Sequence, residues 1–114
     1  MQPRQLTPNE LELAVLHQLG RKVSGLADVI PRLHVLSREF TGVGSYTNFN
    51  PVEAVAGASA PVGLTQAIEV PGVKNGLDAI LFFEGDKVKC LEIVTFGSEA
   101  WDGVYEGFSI PSAT

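Results

Sequence analysis

LDAILFFEGDKVKCLEIVTF, residues 77–96, decides the fold of this chain. Two runs rich in apolar and β-branched residues flank Gly85-Asp86, and glycine at the first position of a two-residue loop suits a tight hairpin turn. Paired outward from that loop, Phe83 opposes Val88, Leu81 opposes Cys90, Ala79 opposes Glu92 and Leu77 opposes Val94. Side chains two apart share one face of a strand, so these eight make an apolar surface interrupted by a single charge, Glu92. The other face carries Asp78, Glu84, Lys87 and Lys89 and reads as the wetter side.

A second hairpin lies upstream. Residues 33–40 and 45–49 flank Thr41-Gly42-Val43-Gly44. With Gly42-Val43 as its two-residue loop, Phe40 opposes Ser45, Arg38 opposes Thr47 and Leu36 opposes Phe49, while Glu39 and Tyr46 share the other face. Arg38 is then the charge among Leu36, Phe40 and Phe49, as Glu92 is in the later hairpin. Three readings of Glu92 stay open: a rim carboxylate meeting water, a structural ion pair with Arg38, or a ligand-binding or catalytic carboxylate in a pocket. Cys90 on the same apolar face reads as a small buried hydrophobe.

Working outward, residues 64–70 alternate apolar and polar and read as a half-buried strand, and residues 71–76 as a turn cluster. Residues 50–63 hold two prolines and several small residues and read as a long loop, with a helical turn near 52–56. Toward the N-terminus, Thr7-Pro8-Asn9-Glu10 matches a capping box, with Pro8 at the first helical position and Leu6 and Leu11 as a hydrophobic staple. Leu11, Val15, Leu16 and Leu19 supply the stripe of that helix and Gly20 its stop. A second helix is expected over residues 22–30, where Val23, Leu26, Ala27 and Ile30 share a face and Pro31 ends it. The sum is an α+β fold, one or two N-terminal helices packed on a curved antiparallel sheet of five or six strands. Residues 1–114 read as a single domain: helices over about 7–30, sheet over about 33–96 and an acidic aromatic tail over 97–114.

Composition narrows the function. The 114 residues carry eight Lys and Arg against 13 Asp and Glu, a net charge of −5, which argues against nucleic acid or an anionic membrane as partner. One cysteine allows neither an internal disulfide nor a multi-cysteine zinc site. His17 and His34 have no metal-ligand spacing, so no metal and no cofactor is expected. Residues 1–5 lack a signal-peptide pattern, no apolar run approaches 18 residues, and a cytoplasmic location follows. No phosphate loop, nucleophile elbow or kinase signature is present, and Gly42-Val43-Gly44 lacks the third glycine of a dinucleotide site, so no catalytic residue is assigned. Arg4, Arg21, Lys22, Arg32 and Arg38 crowd the first third, whereas Glu99, Asp102 and Glu106 surround Trp101 and Tyr105 in the tail. That tail has the composition of a contact surface for a basic partner, or else Trp101 closes the end of the core.

The stretch Arg38-Glu39-Phe40-Thr41-Gly42-Val43-Gly44-Ser45-Tyr46-Thr47, with Leu91-Glu92 and Glu99-Ala100-Trp101 later, resembles a family of small uncharacterised bacterial proteins over roughly residues 30–105. The resemblance implies an α+β domain with Arg38 and Glu92 as a matched pair, and no activity. The leading expectation is a non-enzymatic acidic interaction module that neutralises a basic protein partner. The alternatives are a small-ligand-binding domain or enzyme with a pocket around Glu92, Arg38 and Tyr46, and a homodimer joined through an edge strand.

Overall fold

A computed structural model describes residues 6–111. Residues 1–5, including Arg4 and the N-terminal segment read for a signal, and residues 112–114 of the tail lie outside them. The described elements run α1 (Glu10–Leu19), α2 (Leu26–Val29), a 3-10 turn (Ile30–Arg32), β1 (Val35–Phe40), β2 (Gly44–Phe49), β3 (Val62–Gly63), β4 (Ile68–Val70), β5 (Val73–Glu84), β6 (Lys87–Thr95) and a closing 3-10 turn (Phe96–Ser98). The strands form a six-stranded antiparallel sheet in the order β1-β2-β6-β5-β3, with β4 also bonded to β5. Two short helices pack on this sheet, an α+β fold. Among the described residues no helix is long and apolar enough to cross a membrane.

α1 starts two residues later than the expected capping box. Asn9, not Thr7, is the N-cap: its side chain accepts from the Glu12 N–H at 2.8 Å while Glu12 accepts from the Asn9 N–H at 2.8 Å. Both Thr7/Glu10 and Asn9/Glu12 satisfy the sequence rule. The second register wins because it turns Glu12 toward the sheet, where Arg38 and Thr47 meet it. Leu11, Val15, Leu16 and Leu19 are buried as the stripe requires. α2 is only four residues long. Gly25, at φ +89°, holds a left-handed conformation that no helix interior accepts, so the helix begins after it, and Pro31 sits within the following 3-10 turn.

Both hairpin loops fall where expected, but the strands beyond them slip. In the first, Phe40↔Ser45 and Arg38↔Thr47 pair as read, then an irregularity between Val35 and Ser37 puts Val35, not Leu36, opposite Phe49. In the second, Glu84↔Lys87 and Phe83↔Val88 pair as read, and then Phe82 faces Cys90 and Leu81 faces Leu91. A β-bulge lets Lys89 and Cys90 together oppose Phe82. Every later partner moves by one: Ala79 meets Ile93, Leu77 meets Thr95 and Ile80 meets Glu92. Since a one-residue slip exchanges the faces, Leu91 and Ile93 enter the core and Glu92 leaves it. The physical reason is direct: the unbulged register would bury a carboxylate and expose two large aliphatic side chains.

Elsewhere the expected 64–70 strand contracts to Ile68–Val70, and β5 begins at Val73, inside the expected turn cluster. No helical turn forms over 52–56. Those residues run beside β6 instead, with the Val55 N–H donating to Asp86 O at 2.7 Å, the Val88 N–H donating to Glu53 O at 3.0 Å, and Val55 buried. Residues 104–110 add one bridge, Glu69↔Ser109, rather than an edge strand, because Gly103 and Gly107 both take positive φ. The tail shares the helix side of the sheet, where Tyr105, Phe108 and Ile110 pack on the core.

Gly44 shows how tightly β2 meets β6. A Cβ at that position would lie 2.5 Å from Ile93 O and 2.9 Å from Val94 Cα, both backbone atoms. Gly44→Ala should therefore destabilise the fold by about 1–3 kcal/mol in urea unfolding, although alanine is otherwise the smallest change available. An unchanged midpoint would show that the two strands can part there without cost.

Candidate functional site

The expected Arg38–Glu92 pair does not form. Arg38 sits on the helix side of the sheet beside Thr47, whereas Glu92 pairs in register with Tyr46 on the opposite side. The slip at Lys89 is what separates them. The partner of Arg38 is Glu12 of α1, a residue to which the sequence pattern drew no attention. Arg38 donates to Glu12 through Nε at 2.9 Å and through a terminal nitrogen at 2.7 Å, a two-pronged ion pair, and the same terminal nitrogen donates to Thr7 O at 2.9 Å.

Glu12 is 2% exposed, and both of its oxygens are taken. One accepts from the Asn9 N–H and Arg38, the other from Arg38 and the Thr47 hydroxyl. Burial alone raises the Glu12 pKa, but the hydrogen bonds from Arg38, Thr47 and Asn9, with the Arg38 charge, outweigh it and leave it below its ordinary value. A carboxylate held this way has no lone pair to offer a substrate, so the cluster fastens α1 to the first hairpin.

The tail residues are also engaged. Glu99 accepts from the backbone N–H groups of Lys74 at 2.6 Å and Asn75 at 3.1 Å. Trp101 is 7% exposed and closes the core, its ring N–H donating to Val104 O at 2.9 Å. Asp102 accepts from the Val104 N–H at 2.9 Å, and Tyr105 lies edge-on to Phe108 with ring centroids 6.0 Å apart. Glu106 is exposed. The tail is thus tied inward through Glu99 and Trp101, whereas Asp102 bonds only within the tail, and Trp101 takes the core role rather than that of an exposed hot spot.

Exposure lies on the other side of the sheet. Its central row runs Glu39–Tyr46–Glu92–Ile80 across β1, β2, β6 and β5, with Ser37–Asn48–Cys90–Phe82 on one flank and Val94–Asp78 on the other. None of these side chains is buried, and Tyr46 is 37% exposed. The Tyr46 phenol is held above its ordinary pKa, first because it hydrogen-bonds to Glu92 and then through that carboxylate's charge. Burial, with the charges of Glu92 and Glu39, pushes the Cys90 thiol up, which keeps it protonated and unreactive at neutral pH.

Charge on this face is uneven. Lys87 and Lys89 stand at the hairpin tip, where Asp86 and Glu84 lie within 3.9 and 3.7 Å. Among the described residues, Glu39 and Glu92 in the central row and Asp78 on its flank form no ion pair with a lysine or arginine. Grooves elsewhere are shallow. One of about 610 Å³ lies between Asn9–Glu10 and Val104–Glu106, another of about 580 Å³ beside Lys74–Gly76, and neither is lined by Arg38 or Glu92. Among the described residues, no three His, Cys, Asp or Glu side chains are grouped to hold a metal ion.

Comparison with protein-family models, with curated proteins and with solved structures finds no match. The functional reading therefore rests on the geometry alone.

Proposed function

We propose that this chain is a non-enzymatic acidic interaction module of the cytoplasm whose open sheet face docks a basic protein partner, in the manner of a neutralising or immunity-type protein. One observation carries the reading: Tyr46, Ile80, Phe82 and Val94 remain unburied on a single sheet face, among three carboxylates that form no ion pair with a lysine or arginine of the described residues. Apolar surface gives such a contact its affinity, and complementary charge gives it selectivity and speed of encounter. The test is affinity capture from the native lysate at low salt, comparing the wild-type chain with Ile80→Lys on the open face and Glu10→Lys on the helix side. The partner is expected on the wild-type and Glu10→Lys chains, absent from Ile80→Lys, and released as salt screens the charges. Capture indifferent to Ile80→Lys would refute the assignment of this face.

A second reading, a homodimer through β1, is favoured by that strand's place at the sheet edge and by Leu36 and Phe40, each 62% exposed. Light scattering across a concentration series decides it, and a mass that stays monomeric removes it.

A further inference from the structure

Resting on the open-face reading, we infer that the Glu39–Tyr46–Glu92 row receives an arginine side chain of the partner, its guanidinium over the Tyr46 ring between the two carboxylates, with apolar neighbours of that arginine covering Ile80, Phe82 and Val94. The row is built by register: Glu39 pairs with Tyr46 across β1 and β2, and Tyr46 pairs with Glu92 across β2 and β6. Adjacent strands lie about 4.8 Å apart, so the two carboxylates flank the ring at roughly one strand spacing on either side.

That spacing suits a planar cation. An aromatic face attracts a cation through its quadrupole, and a guanidinium stacks flat while its edges reach oxygens on both sides. A lysine ammonium can approach the ring or one carboxylate but has no fork with which to span the row. The Tyr46–Glu92 hydrogen bond holds the phenol toward β6. Among the described residues, the basic side chains nearest the row face other carboxylates: Lys89 lies 3.7 Å from Glu84, and Arg38 is on the far side of the sheet with Glu12. The row is therefore open to a cation brought by another molecule. Beyond Glu92 the row continues into Ile80, with Phe82 beside it and Val94 on the other flank. An extended segment with aliphatic residues two positions either side of its arginine places all three on one face.

The experiment titrates the isotope-labelled full chain with a capped Ser-Leu-Ser-Arg-Ser-Leu-Ser peptide, followed by backbone and side-chain NMR shifts. Two twins of the peptide carry citrulline or lysine in place of arginine. The expected result is a shift pattern centred on Tyr46, Glu39, Glu92 and Ile80, with affinity about tenfold weaker for the citrulline twin and intermediate for the lysine twin. Glu39→Gln/Glu92→Gln should lower arginine-peptide affinity by about tenfold, and Tyr46→Leu should lower it several-fold, with each variant keeping the wild-type spectrum away from the row. Equal affinity for the arginine and citrulline peptides, shifts mapping to another surface, or binding unchanged in the double variant would each overturn the inference. If no peptide moves the row while Ile80→Lys still abolishes capture of the cellular partner, the arginine assignment falls and the open-face reading stands. If Ile80→Lys leaves capture intact as well, both fall.

Discussion

Arg38→Met is expected to destabilise the fold by about 3–5 kcal/mol, because it strands the Glu12 carboxylate, 2% exposed, without its cation. Glu12→Gln should cost less, about 2–3 kcal/mol: the Arg38 side chain is 22% exposed and can turn its charge to water, whereas Glu12 cannot. The double variant should lose clearly less than the two single losses added together, since the second change removes a group the first has already orphaned. Denaturant unfolding of the four chains measures this, and strictly additive losses would show that the two side chains do not stabilise one another. The same pair sets an acid limit. Glu12 has a lower pKa folded than unfolded, so its contribution is fully present above the ordinary glutamate value and drains away as pH falls through the lower folded one. Wild type should therefore lose stability over that acidic interval, and Glu12→Gln should flatten this part of the pH profile.

Deleting Lys89 should leave a folded protein, while deleting Glu92, three residues on, should abolish folding. Lys89 is the extra residue of the bulge. Without it, Val88 still faces the core opposite Phe83, Cys90 still opposes Phe82, and Leu91 still opposes Leu81, in a plain alternating ladder. Removing Glu92 leaves the bulge in place but turns Ile93 outward, brings Val94 inward, and pulls the Thr95 hydroxyl from Glu99 O, to which it donates at 2.6 Å. Ile93 is 1% exposed and Thr95 5%, so the second deletion dismantles the middle of the core. Circular dichroism and thermal unfolding of the two variants distinguish the outcomes. Equal tolerance of both deletions would mean that β6 chooses its register freely.

These two cases also mark how far residue patterns reach. The loops at Gly42-Val43 and Gly85-Asp86, the buried stripe of α1 and the α+β class follow from local chemistry: glycines at turns and periods of two and of three to four. The candidate site did not, for one reason expressed twice. Leu91-Glu92-Ile93-Val94 puts apolar residues at odd and even positions alike, so alternation alone cannot choose a face, and a bulge one residue long makes the choice. Near the N-terminus two overlapping capping boxes are equally good locally, and Arg38 and Thr47, some 26 and 35 positions away, select between them. A fixed offset from the turn misassigned Glu92. The absence of any way to see across the chain left Glu12 unnoticed.

The strand order has a consequence for how the molecule is made. β6 is the last strand in sequence, yet it lies between β2 and β5 and hydrogen-bonds to both. During synthesis the first hairpin and the long β5 strand leave the ribosome with no common neighbour, and Ser45 waits for Ile93 before its side of the sheet can close. Until then, hydrophobic strands stand with open edges, the condition in which nascent chains associate with one another or recruit chaperones. A chain ended before residue 87 would lose its keystone rather than its trim, with no strand left between β2 and β5 to join the two parts of the sheet.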